Sequence, residues 1–171
     1  MEIRALRADD DRSQFHSGDT DLDRFFHVFA GQNQFKHHVG VTYVAVEDRY
    51  ILGFVTVAPG HVEIEGLPSS LRKKMPRYPL PVLRLARLAV HREARGQRLG
   101  SSLLRFALQL AVRMANDYGC VGAVVDAKPH AVDFYAKYGF IAVDALEGQS
   151  DARPQPTPMF LAMRAIKTSA W

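Results

Sequence analysis

Residues 95 to 100 read Arg-Gly-Gln-Arg-Leu-Gly and stand between a strand-like run, residues 82–90, and a long helical pattern. That arrangement suits an anion. The first backbone N–H groups of a helix have no partner inside it, and the helix dipole favours negative charge there. Gly96 and Gly100 remove the Cβ that would keep a phosphate off the backbone, while Arg95 and Arg98 add cationic donors. A glycine before a helix is also a common structural turn, so the pattern by itself leaves both readings open. Charge is the second chemical signal. Residues 72–98 hold nine basic side chains (Arg72, Lys73, Lys74, Arg77, Arg84, Arg87, Arg92, Arg95, Arg98) and one acid, Glu93, a net +8 against −4 on the other 144 residues. Such asymmetry points to a polyanionic partner, although a solvated basic surface has the same composition. His37, His38, His61 and His130 lack the spacing of metal ligands, and no metal is expected.

The elements that must position these groups follow from periodicity and turn residues. Residues 2–6 read as a short strand. A helix start follows at residues 15–23, with Thr20 and Asp23 spaced as a capping box. Leu22, Phe25, Phe26 and Phe29 then form an apolar stripe at helical spacing, read as core. Residues 41–47 and 51–58 predict a hairpin around Asp48 and Arg49, and residues 61–64 a further short strand. Prolines at 68, 76, 79 and 81 break residues 67–81 into a loop with one helical turn near 69–74. The helix after Gly100 carries Leu99, Leu103, Phe106, Leu110 and Met114 and ends near Gly119. Residues 121–126 form a buried strand, residues 129–138 a short helix, and residues 140–143 and 159–164 the last strands. The polar residues 146–158 are an excursion between those two. The order predicts one α/β domain over residues 1–171 with a mixed sheet.

Bulk properties agree. An apolar share of 47% in 171 residues supports a packed core and argues against disorder. The charged N-terminus does not resemble a signal peptide, and no stretch approaches the roughly 20 apolar residues of a membrane span. One cysteine, Cys120, rules out an internal disulfide and fits a reducing compartment. A soluble cytoplasmic protein is expected.

The string LARLAVHREARGQRLGSSLL resembles the acetyl-coenzyme A motif of the GCN5-related N-acetyltransferases (GNAT), [RQ]-x-x-G-x-[GA] after a strand. Residues 134–140, FYAKYGF, look like the same family's FYxKxGF signature, in the right order and at a spacing that fits helix, strand and helix. Two positions depart from the pattern: Arg98 stands at its first glycine, and Lys128 where an Asn is frequent. The resemblance implies a GNAT fold, a mixed, mostly antiparallel sheet flanked by helices. It implies that Leu88, Ala89 and Val90 pair with the pantetheine arm of acetyl-CoA. The amides of Arg95, Gly96, Gln97, Arg98, Leu99, Gly100 and Ser101 would then hold the pyrophosphate. Tyr135 would protonate the departing thiolate, a task that suits a phenol with a pKa of about 10. His91 and Glu93 follow the strand and are read as surface side chains, so no residue stands out as the base.

Residues 15–23, FHSGDTDLD, and the run PRYPLPVLRLARLAV are similar to a narrower branch, the acetyltransferase toxins of bacterial toxin–antitoxin pairs. That likeness implies acetylation of the α-amine of aminoacyl-tRNA, with Arg72, Lys73, Lys74, Arg77 and Arg87 as candidate tRNA contacts. The implied partners are charged tRNA, a ribbon–helix–helix antitoxin and a second copy forming a homodimer. Acetylation of a small amine or a protein N-terminus, and a non-catalytic acyl-CoA sensor, remain open at this point.

Overall fold

The computed structural model describes residues 1–144 and 154–169. Strands β1 (Glu2–Ala5), β2 (Val41–Glu47), β3 (Tyr50–Val62), β4 (Leu80–Val90), β5 (Gly122–Ala127), β6 (Ile141–Ala142) and β7 (Thr157–Ala162) form one sheet in the order β1-β2-β3-β4-β5-β7-β6. It is a mixed α/β fold with a mostly antiparallel sheet flanked by helices, as the sequence predicts. The helices are α1 (Thr20–Arg24), α2 (Ala30–Phe35), α3 (Ser69–Arg72), α4 (Leu99–Asp117), α5 (Val132–Lys137) and α6 (Met163–Thr168). Contacts divide the chain into two compact units: Met1–Ala58 with Leu85–Ala107, and Pro59–Arg84 with the described residues from Leu108 onward.

In the first unit β1, β2 and β3 are antiparallel neighbours, and Glu47 faces Tyr50 across the two-residue turn at Asp48 and Arg49. The inward side chains of this hairpin meet the aromatic stripe. Phe26 stacks on Phe54 at 4.4 Å, and Phe15 meets both rings edge-on at 4.9 and 5.4 Å. All three rings are buried, each contributing about 1.5–3 kcal/mol. Between α1 and α2 the helix widens into a π turn, Phe25–Phe29, and the guanidinium of Arg12 donates to the Phe26 carbonyl at 3.0 Å. Such turns alter which side chains share a face. Here Phe25 and Phe26 are buried, and Leu22 and Phe29 pack at the margin of the same core.

The start of α1 differs from the expected capping box. Asp19 is the cap, accepting from the amides of Asp21 and Leu22 at 3.0 and 3.1 Å. An Asp immediately before the first helical residue does this directly, and such a cap stabilises by roughly 1 kcal/mol. Asp23 instead accepts from the amide and hydroxyl of Ser17.

The second unit packs Val62, Leu67, Leu80, Val82, Val124 and Phe160 together. There β5 pairs antiparallel with β7, from Gly122 opposite Ala162 to Ala127 opposite Thr157, and β6 pairs with β7. Cys120, just before β5, is buried with its Sγ 3.2 Å from the Gly122 carbonyl, and burial pushes its thiol pKa up.

Several expected boundaries move. Residues 61 and 62 continue β3 rather than forming a new strand, and Ile64–Gly66 is a 3₁₀ turn. Pro81 lies inside β4. The last strand begins at Thr157 and stops at Ala162, where α6 takes over. Of the excursion expected at 146–158, residues 146–153 lie outside the described residues. In α4 the buried face runs through Leu103, Leu104, Ala107, Leu108, Ala111 and Met114, leaving Phe106 and Leu110 at its margin.

Candidate active site

The loop between β4 and α4 belongs to the first unit. Arg95, Gly96, Gln97 and Arg98 are all exposed, and Leu99, buried, begins the helix. Gly96 has φ +83°, and a Cβ there would meet nothing within 4 Å, so conformation rather than space asks for glycine. Arg98 has φ +58°, the left-handed region, where a side chain costs roughly 1–2 kcal/mol. The family pattern has glycine at that position. The amide of Ser102 donates to the Arg98 carbonyl at 3.1 Å. The amides of Leu99 and Gly100 come before this bond, so the helix supplies them no internal partner, and its dipole makes that end positive. This backbone suits a pyrophosphate. Leu88 and Val90 are half-buried and Ala89 is buried, at the end of β4 that leads into the loop.

The arginines of the loop are not equivalent. The Nη2 of Arg95 donates to the carbonyl of Ser17. Arg98 remains exposed. The segment around Ser17 also meets the chain just before the loop: the His16 amide donates to Nδ1 of His91 at 3.0 Å, and the Arg92 amide to the His16 carbonyl at 2.9 Å. His91 was expected as a surface side chain; it is instead largely buried and occupied as an acceptor, while Glu93 is exposed at 3.8 Å from it. A cavity of about 840 Å³ in this unit is lined by residues including Asp10, Asp48, Arg49 and His91, and of the expected cofactor residues it touches Gln97 alone.

Tyr135 belongs to the second unit. It lies on α5, 6% exposed, with Phe134 and Phe140 edge-on at 5.1 and 5.4 Å. The turn after α5 is closed by the Phe140 amide donating to the Tyr135 carbonyl at 3.2 Å, and Gly139 there has φ +97°. Burial pushes the phenol pKa well above its usual value, because an ionised ring oxygen would be desolvated. The hydroxyl is thus a proton donor throughout the neutral range.

The basic stretch divides in two. Arg72, Lys73, Lys74 and Arg77 are all exposed, in α3 and the segment after it. Arg84 instead meets Asp126 at 3.5 Å. The Arg87 guanidinium lies 3.8 Å over the Phe25 ring, and partial burial lowers its pKa although much of the side chain remains exposed. Tyr78, 61% exposed, follows Arg77 within the run PRYPLPVLRLARLAV and lies beside the four outer cations in the chain.

Comparisons with known proteins bear on this arrangement. Residues 38–142 match the family model for the acetyltransferase (GNAT) domain. The chain is 35% identical over 140 residues to a tRNA-acetylating toxin of Mycobacterium tuberculosis (strain ATCC 25618 / H37Rv), spanning 80% of this chain and 82% of that one. It superposes on AtaT complexed with acetyl-methionyl-tRNAfMet with a TM-score of 0.83 at 25% identity, covering 97% of this chain and 96% of that one. AtaTR bound with acetyl-CoA gives a TM-score of 0.76 at 25% identity, covering 97% and 95%.

Proposed function

Since the chain belongs to the GNAT acetyltransferase family, we propose that it is a toxin that transfers acetyl from acetyl-CoA to the α-amine of aminoacyl-tRNA and so blocks translation. The observation that carries this reading is the exposed run of Arg72, Lys73, Lys74 and Arg77 in the same unit as the buried Tyr135. It is supported by the likeness to a tRNA-acetylating toxin. Four cations on a proline-punctuated segment can track a phosphate backbone, and Tyr78 offers a ring on which a base can stack.

The chain's own residues then divide the work. The amides of residues 95–101 hold the pyrophosphate, helped by the positive end of α4. Leu88, Ala89 and Val90 offer main-chain groups to the pantetheine arm. When bound, acetyl-CoA supplies a thioester whose carbonyl carbon takes the amine as its C–S bond breaks. The amine nitrogen gives up a proton to solvent, and the Tyr135 hydroxyl gives its own to the leaving sulfur and is reprotonated from solvent. Its raised pKa keeps that proton in place until negative charge develops on the sulfur. Arg87, held over Phe25, is the weakest of the proposed tRNA contacts.

On this reading residues 1–171 act as one domain, because both units share β3, β4 and α4 rather than being joined by a linker. A ribbon–helix–helix antitoxin and a second copy of the chain are its proposed protein partners, and the cytoplasm its proposed location. No described helix is long and apolar enough to cross a membrane. No metal is required, since the thioester arrives already activated.

The test is incubation of the protein with labelled acetyl-CoA and a panel of charged tRNAs, peptides and polyamines. Label should appear on the amino acid of charged tRNA, and the reaction should weaken steeply with salt as phosphate contacts release counterions. Label on peptides or polyamines alone would overturn the tRNA reading and leave the acetyltransferase assignment standing.

A further inference from the structure

We propose that Ser17 and Asp23 are positioning residues for the cofactor loop, and that the Arg95 guanidinium ties the loop to them instead of contacting the pyrophosphate. This rests on the assignment of residues 95–101 to the cofactor and deepens it. Arg95 and Ser17 are 78 residues apart in sequence, and Nη2 of Arg95 donates to the Ser17 carbonyl. Ser17 is itself buried, at 4% exposure, and is held by three hydrogen bonds to two residues. Its amide donates to Oδ1 of Asp23 at 2.9 Å, its hydroxyl donates to the same oxygen at 2.7 Å, and that hydroxyl accepts from the Asp19 amide at 3.1 Å. Gly18 follows with φ +94°, and a Cβ there would lie 3.1 Å from Nη2 of Arg95, tighter than side-chain contacts normally allow. Residues 17, 18 and 23 thus form a seat shaped around the guanidinium.

The seat is anchored in the core. Phe15, two residues before Ser17, is locked between Phe26 and Phe54, and Asp23 sits on α1, which runs into the buried Phe25 and Phe26. With the bonds of residue 16 to His91 and Arg92, the segment grips the chain just before the loop and again at Arg95, immediately ahead of left-handed Gly96. Residues 95–98 bury no side chain that would order them. A loop that binds through amides must hold those amides in place before the ligand arrives, or binding bears the ordering entropy. The tether supplies that order from outside the loop.

Three substitutions separate the possibilities. Asp23→Ala removes the acceptor of both Ser17 bonds without touching the loop. Asp23→Asn keeps an acceptor oxygen, and Arg95→Met removes the donor while keeping the length of the side chain. Acetyl-CoA binding by titration calorimetry should weaken about tenfold in Asp23→Ala and in Arg95→Met, the scale of one lost charge-assisted bond. Asp23→Asn should bind within about twofold of wild type, and the double variant Asp23→Ala/Arg95→Met should be no weaker than Arg95→Met alone, since both break one linkage. In turnover assays KM for acetyl-CoA should rise while kcat stays within about twofold. If Asp23→Ala fails to fold, Ser17→Ala, which removes only the hydroxyl, carries the same expectations. Normal binding by Asp23→Ala beside weak binding by Arg95→Met would overturn the proposal and make Arg95 a pyrophosphate ligand. So would losses that multiply in the double variant, or a loss that Asp23→Asn does not restore. Gly96→Pro distinguishes the underlying assignment: if it binds acetyl-CoA normally, the loop is not the cofactor site at all.

Discussion

The loop at residues 95–101 and the tyrosine at 135 lie in different compact units and are built on opposite principles. The loop is open to water, and its shape comes from backbone torsions at Gly96 and Arg98 and from the N-terminus of α4. Tyr135 is shut among Phe134 and Phe140, and everything it offers is one hydroxyl whose ionisation burial suppresses. A site made of main chain tolerates changes of side chain and fails when its torsions are changed. A site made of one side-chain atom tolerates everything that keeps the ring and fails when the atom goes.

The largest test of that contrast is Tyr135→Phe, which keeps the ring and deletes the oxygen. Turnover should fall by about 10²–10⁴-fold, the range of a general acid, while acetyl-CoA affinity changes little. Near-normal turnover would move the acid role elsewhere. Because burial raises the phenol's pKa, loss of this acid on the alkaline side should come only above about pH 10, its ordinary value. Stability has the same sign: the unfolded tyrosine ionises first, so the folded state loses ground as pH rises past that point. A kcat–pH profile with an alkaline limb below pH 9 that vanishes in Tyr135→Phe would contradict the burial argument.

On the loop, Gly96→Pro changes torsion with little change in polarity. Proline is fixed near φ −65° against the +83° observed, a misfit of about 3 kcal/mol or more, so acetyl-CoA binding should drop by roughly a hundredfold or be lost. Replacing Arg72, Lys73, Lys74 and Arg77 together by Glu should raise KM for charged tRNA and flatten its salt dependence. Calorimetry should find acetyl-CoA affinity unaltered in that variant. The smallest effect is expected at Arg98→Gly, a change of side chain in a backbone site. Binding should hardly alter, and relief of the left-handed torsion should raise stability by up to about 1 kcal/mol in thermal melts. A marked loss of affinity there would show that the Arg98 side chain, and not only its amide, holds the cofactor.

What the sequence made legible was mostly local. The hairpin at Asp48 and Arg49, the long α4 and the strand–turn–helix around Gly96 each announce themselves within twenty residues, because turn chemistry and periodicity act over that range. The full extent of β3 is hidden because Pro59 and Gly60 interrupt its strand pattern, and α6 because its apolar residues run on from β7. The cap at Asp19 is masked by Thr20, one residue on, whose spacing to Asp23 is that of a capping box. The seat of Ser17 for Arg95 and the pairing of Arg84 with Asp126 join residues far apart in the chain, and no local pattern encodes them. The string FHSGDTDLD contains Ser17, Gly18 and Asp23, and the contacts that join them to each other and to Arg95 are visible only in the structure.

In the proposed reaction every turnover releases coenzyme A as a free thiol, so the protein works in continual contact with a sulfur nucleophile and, when oxidised, with its disulfide. The chain's one cysteine is kept out of that exchange. Cys120 is buried, and its raised pKa leaves little thiolate to attack or be attacked. Neither mixed disulfides with coenzyme A nor cysteine-linked pairs of chains should therefore accumulate while the fold is intact, and the enzyme needs no reductant to protect it from its own product.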